Sequence, residues 1–130
     1  PALVLAPVEG HKPRDPKKLA GLENRMGIPP EQLSPYHNLD SDLPPTIIFH
    51  GTKDTTVPID TVELFTKEAK KKGNPVELVA YEGQGHGFFN FKEKDMTSFT
   101  DTVKKTDAFL VELGYLQGAD TIDAFLAEIQ

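Results

Sequence analysis

Apolar positions along this chain fall into blocks of two kinds. Short continuous runs, Ala2-Leu3-Val4-Leu5-Ala6, Thr46-Ile47-Ile48-Phe49-His50 and Val76-Glu77-Leu78-Val79-Ala80-Tyr81, are bounded by proline or glycine. Runs of this length predict strands over 2–8, 46–50 and 76–81, covered on both faces. Between and after them the period changes to that of a helix. Ile59, Val62, Phe65 and Ala69 share one face of a helix predicted over 59–72, which Gly73 and Pro75 stop. Phe99, Val103, Thr106, Leu110 and Leu113 form a stripe over 98–113, with Ser98 as N-cap and Gly114 past the end. A last helix over 121–129, capped by Asp120, would bury Ile122, Phe125, Leu126 and Ile129. The proline-rich connection from His11 to Pro45 leaves room only for a short helix over 17–26 and a turn at 30–33.

Alternating strands and helices imply an α/β fold, a parallel three-stranded sheet with crossover helices. In open parallel sheets ligands bind beyond the carboxyl ends of the strands. Chemistry is therefore expected in Gly51-Thr52-Lys53-Asp54 and in Glu82-Gly83-Gln84-Gly85-His86-Gly87. Glycines at 83, 85 and 87 permit a tight loop with positive φ that projects the His86 imidazole, the usual general base for a weak nucleophile. Alone, His86 reads equally as a surface or packing histidine, and Asp54 more readily as a turn former or cap. Together, at one edge of adjacent parallel strands, they suit a carboxylate that orients a ring nitrogen and stabilises imidazolium.

These motifs resemble esterase/lipase-type α/β-hydrolases. Ser34-Pro35-Tyr36-His37-Asn38-Leu39 followed by Leu43-Pro44-Pro45 and the strand 46–50 is similar to the family's approach to its acid. Gly51-Thr52-Lys53-Asp54-Thr55-Thr56-Val57-Pro58 resembles the segment H-G-x-x-D-x-x-V-P, and Gly83-Gln84-Gly85-His86-Gly87-Phe88 resembles the histidine loop. Thr106 to Leu116 is similar to the closing helix, and Ala2 to Val8 to the strand after the nucleophile helix, so the likeness runs over roughly 2–116. The resemblance implies the last three strands of that fold, with Asp54 as triad acid, His86 as triad histidine, and the order serine, acid, histidine. It further implies hydrolysis of a small-molecule carboxylic ester through a serine acyl-enzyme, without metal or organic cofactor. A prolyl-oligopeptidase-type peptidase shares this C-terminal layout, and a non-catalytic binding or assembly domain is the alternative of a different class.

The departure lies in the nucleophile. The family's G-x-S-x-G elbow is absent, and the three serines, Ser34, Ser41 and Ser98, have other surroundings. Acid and base alone do not carry out acyl transfer, so the chain is expected to be inactive by itself, the C-terminal part (1–130) of one hydrolase domain. The apolar run starting at residue 2, with no polar lead-in, predicts that an upstream segment is missing. A strand 2–8 without its neighbour would offer an unprotected edge. The expected partner is thus a second copy in a two-fold dimer, or the missing N-terminal half.

Charge and composition narrow the rest. A net charge of −6 argues against nucleic-acid binding. The one basic run, Lys70-Lys71-Lys72, belongs at a helix C-terminus, where cations complement the dipole. No apolar run is long enough for a membrane span. Cysteine is absent, which removes disulfides and thiol chemistry and leaves cytoplasm only as a default compartment. His50, Asp54 and His86 could in principle form a two-histidine, one-carboxylate metal site. His50 at a strand end is expected instead to pack or hydrogen-bond beneath the loop. Phe88, Phe89 and Phe91 are expected in the core, with Phe88 as a candidate lining for a leaving-group site.

Overall fold

The computed structural model describes residues 1–11, 15–92 and 94–128. Its centre is a parallel pair of strands, β1 (Thr46–Gly51) and β2 (Val76–Tyr81). They are paired in register along their whole length, Thr46 beside Val76 and Gly51 beside Tyr81. Helix α3 (Ile59–Lys71) makes the crossover between them. Its apolar stripe packs Val62, Phe65 and Ala69 on Ile48 and Val76, together with Leu39 and Val4. Strand alternation sends Phe49 and Tyr81 to the other face, where helix α4 (Thr97–Glu112) is tied to the sheet. There the Tyr81 hydroxyl donates to Asp101 Oδ2 at 2.6 Å, and Lys105 pairs with the same carboxylate. Burial first, and then the adjoining Asp101 carboxylate, push the Tyr81 phenol well above its ordinary range. The α/β architecture thus follows the periodicity.

The Pro-rich connection holds α1 (Pro16–Met26) and the single turn α2 (Pro30–Leu33). Asp15 caps α1 by accepting from Lys17 N–H at 2.9 Å, and Gly27 closes it in the left-handed conformation, φ 73°. Asn74 fastens the end of the connection to the sheet. Buried just before β2, it donates to the Asp40 carbonyl at 2.6 Å and accepts from Leu43 N–H at 2.9 Å.

Several expectations are corrected. Residues 2–8 form no strand among the described residues, so the sheet has two strands rather than three. Their backbone groups bond to a loop instead of a ladder. Leu3 O accepts from Tyr36 N–H at 3.0 Å, and Leu5 N–H donates to Ser34 Oγ at 3.0 Å. Ser98 is not the N-cap of α4, which starts at Thr97 behind Met96, with Asp95 Oδ1 accepting from Thr97 N–H at 3.1 Å. The expected stripe of α4 is only half-buried and Thr106 is exposed; of that helix only Thr102 is buried. Helix α5 spans Ile122–Glu128 and buries Ile122 and Leu126, while Phe125 is exposed. Ile129 and Pro13 lie outside the described residues. Lys70 and Lys71 do stand in the last turn of α3, and Lys72 at its C-cap also donates to the Leu39 carbonyl at 2.6 Å. Of the three aromatic residues after the histidine only Phe88 is buried, stacked 4.5 Å from Tyr81, while Phe89 and Phe91 are exposed.

The half-buried stripe of α4 faces an apolar groove of about 820 Å³ along β1. Leu3, Ile47, Phe49, Phe89, Val103 and Leu110 are among its walls. No helix among the described residues is long and apolar enough to cross a membrane.

Candidate active site

In-register pairing brings the last residues of β1 and β2 side by side, so the loops that follow leave the sheet together. Thr52 N–H donates to the Tyr81 carbonyl at 3.0 Å and Lys53 N–H to the Gln84 carbonyl at 2.9 Å. In return Gly83 N–H donates to Thr52 Oγ1 at 2.8 Å. This lacing depends on the missing side chain at Gly51. A Cβ there would lie 2.7 Å from the Gln84 carbonyl carbon, overlap that carbonyl's oxygen, and reach within 2.9 Å of the Gly85 carbonyl oxygen. Gly83 and Gly87 take φ of 74° each, which bends the second loop back toward the first; Gly85 has no positive φ.

The result joins the two residues singled out in the sequence. His86 Nδ1 lies 2.8 Å from Asp54 Oδ2. The acid side chain is 4% exposed and the imidazole 58%. A carboxylate only accepts, so Nδ1 carries the proton. Nε2 has no hydrogen-bond partner among the described residues and is left as the basic nitrogen. Asp54 Oδ1 accepts from Val57 N–H at 2.8 Å and Thr56 N–H at 2.9 Å. Burial works to raise the carboxyl's pKa. The Val57 N–H, His86 and the Thr56 N–H outweigh it, and the pKa falls below its ordinary 3.8. Being lower folded than unfolded, it stabilises the fold above pH 3.8, a contribution lost as pH falls through the lowered value.

His50 turns its Nε2 to the backbone beneath the loop. Its Nε2 lies 2.8 Å from the Val57 carbonyl, and a carbonyl only accepts, so this nitrogen is protonated and has no lone pair to offer. Among the described residues no three histidine, cysteine or acidic side chains are grouped to hold a metal.

A second serine–histidine pair escaped the sequence reading. Ser34 Oγ lies 2.8 Å from His37 Nδ1, and His37 Nε2 lies 3.1 Å from the Pro7 carbonyl, to which it donates. Ser34 is 0% exposed and its Oγ also accepts from Leu5 N–H, so the pair clamps residues 3–7 and no substrate reaches it. Its only trace in the sequence is the i, i+3 spacing of Ser34 and His37 across a proline, which does not distinguish a clamp from a turn.

Comparison with known proteins bears on this arrangement. Residues 22–113 match the model of the prolyl oligopeptidase family. The chain belongs to that family. It is also similar in structure to a thermophilic esterase from the planctomycete Thermogutta terrifontis. That match is 48% identical, with a TM-score of 0.78, over 89% of this chain and 41% of the esterase. The same organism's esterase 2 phosphonylated by sarin superposes with a TM-score of 0.82 at 45% identity, over 91% of this chain and 43% of that one. An isoprenylcysteine alpha-carbonyl methylesterase of Arabidopsis thaliana is 43% identical over 44 residues, which is 34% of this chain and 10% of that protein. The chain thus shares the α/β-hydrolase fold of these esterases and spans less than half of their length.

Because Gly51 meets backbone, Gly51→Ala lowers the free energy of denaturant unfolding by about 1–3 kcal/mol. Gly21→Ala is the control, in α1 where a Cβ meets nothing, and it stabilises by up to about 1 kcal/mol. Equal effects at the two positions contradict the close loop contact.

Proposed function

We propose that this chain supplies the acid and the base of serine ester hydrolysis to an α/β-hydrolase domain of which it forms the C-terminal part. The observation that carries the reading is the 2.8 Å contact of Asp54 with His86, at the carboxyl ends of neighbouring parallel strands, with Nε2 free. Similarity to solved esterases supports the choice of a carboxylic ester as substrate. In this role His86 Nε2 takes the proton of an attacking serine, and the ester carbonyl becomes tetrahedral. The imidazolium then returns the proton to the departing alcohol, leaving an acyl-enzyme that water cleaves by the same two proton transfers in order. Asp54 fixes the Nδ1–H tautomer and stabilises the imidazolium. The serine and the oxyanion donors come from outside these 130 residues, since none of Ser34, Ser41 and Ser98 lies on a G-x-S-x-G elbow.

Membership of the prolyl oligopeptidase family favours a second reading, in which the same pair serves cleavage of a peptide bond. Turnover of matched ester and amide substrates by a chain extended through its serine separates the two.

The apolar groove along β1 is, in this proposal, the seat of the remainder of the hydrolase domain. The chain covers only 41% of the esterase to which it is similar, and the groove's walls are apolar strand and helix faces of the kind a domain interior joins. Without that remainder, a second copy takes its place.

Two outcomes follow. The 130-residue chain hydrolyses a p-nitrophenyl ester no faster than its His86→Ala variant, whereas His86→Ala in an extended, active chain lowers kcat by about 10⁴-fold or more. Turnover by the short chain that disappears on mutating Ser34, Ser41 or Ser98 would mean that the nucleophile has been misplaced. Light scattering on the isolated chain reads a dimer or larger species, and a monodisperse monomer contradicts the assignment of the groove.

A further inference from the structure

His50 is the residue of the acid's surroundings that the acid–base reading leaves without a task. It sits one position before the end of β1, and alternation turns its side chain to the α3 face together with Ile48. The imidazole is 3% exposed. Its Nε2–H donates to the Val57 carbonyl at 2.8 Å and stands 3.5 Å from Asp54 Oδ2, too far for a good hydrogen bond of its own. Val57 is the residue whose N–H donates to Asp54 Oδ1. Val57 is therefore held at both polar groups, the N–H by the acid and the C=O by His50. Pro58 follows it and already biases Val57 toward an extended backbone.

The geometry points to His50 as a positioning residue for Asp54: by pinning the Val57 carbonyl it keeps the backbone donors of Thr56 and Val57 on Oδ1 and leaves Oδ2 aimed at His86. This deepens the acid–base reading and rests on it. His50 touches no reacting atom and acts through Val57. A histidine that merely filled space would be replaceable by any side chain of similar volume. A positioning histidine is replaceable only by one that donates a hydrogen bond to the Val57 carbonyl. Glutamine and methionine have nearly the same shape, and only glutamine donates.

The test is the carboxyl titration of Asp54, followed by the Cγ resonance in the 130-residue chain and in its His50→Gln and His50→Met variants. Burial raises the Asp54 carboxyl and its three hydrogen-bond donors outweigh that, so its midpoint in the unsubstituted chain is expected below the ordinary 3.8. In H50M the midpoint rises toward 3.8, and in H50Q it stays where it was. No movement in H50M, or the same movement in both, overturns the proposal. Two-bond ¹⁵N couplings of His50 in the unsubstituted chain give a second reading that needs no variant to fold. They show the proton on Nε2, and a proton on Nδ1 alone overturns the proposal as well. A failure of the ester-hydrolysis reading registers in turnover and leaves both of these measurements where they are.

Discussion

The end of this molecule that carries Asp54 and His86 depends on two backbone loops touching where a side chain is missing. Gly51 ends β1 with nothing beyond its Cα, so the Gln84 and Gly85 carbonyls lie against it. From there the Lys53–Gln84 and Gly83–Thr52 hydrogen bonds fix one loop on the other. Residues three and five positions past the paired strand ends, Asp54 and His86, then meet without reaching. The strands contribute their register, since a slip of one residue would move both loops relative to each other. Helix α3 and the core beneath, Val62, Phe65 and Ala69 on Ile48 and Val76, hold that register.

Holding a carboxylate out of water is unfavourable unless its oxygens are supplied with donors. Asp54 is supplied on both oxygens, two backbone N–H groups on one and an imidazole on the other. The consequence is a charged acid at neutral pH, beside an exposed histidine whose outer nitrogen is unengaged among the described residues. That pairing of a buried, oriented anion with an accessible base is what proton transfer to and from a substrate requires. The other buried polar groups are supplied as fully. Among the described residues no buried side-chain nitrogen or oxygen lacks a partner. Ser34 and Asn74 show how: each ties a stretch without regular structure to the body of the fold.

The sheet's two strands, the crossover helix and the meeting of Asp54 with His86 were legible because each rests on local rules. Short apolar runs mark the strands, although β2 is covered only in part, a 3.6 period marks α3, and parallel strands place their following loops at one edge. What failed to be legible depends on contacts distant in sequence. Residues 2–8 have the composition of a strand, yet Ser34, Tyr36 and His37 take up their polar groups, which no periodicity reveals. The stripe of α4 predicts an apolar face, and the structure turns that face to a groove in place of a closed core. Ser98 is a plausible cap by type, yet the N-cap position falls to Met96, and Asp95 just before it accepts from Thr97 N–H. His50 hydrogen-bonds beneath the loop as expected, but its partner, Val57, is a carbonyl that side-chain patterns cannot show.

The proposed chemistry rests on one structural claim, that Asp54 dictates which nitrogen of His86 carries the proton. ¹⁵N couplings of the His86 ring at about pH 9, above the ordinary imidazole range, report this directly. The proton is expected on Nδ1 in the unsubstituted chain, with Nε2 bare, and that preference is expected to vanish in Asp54→Ala. A proton on Nε2 in the unsubstituted chain, or the same tautomer in both, contradicts the pairing on which the proposed chemistry depends.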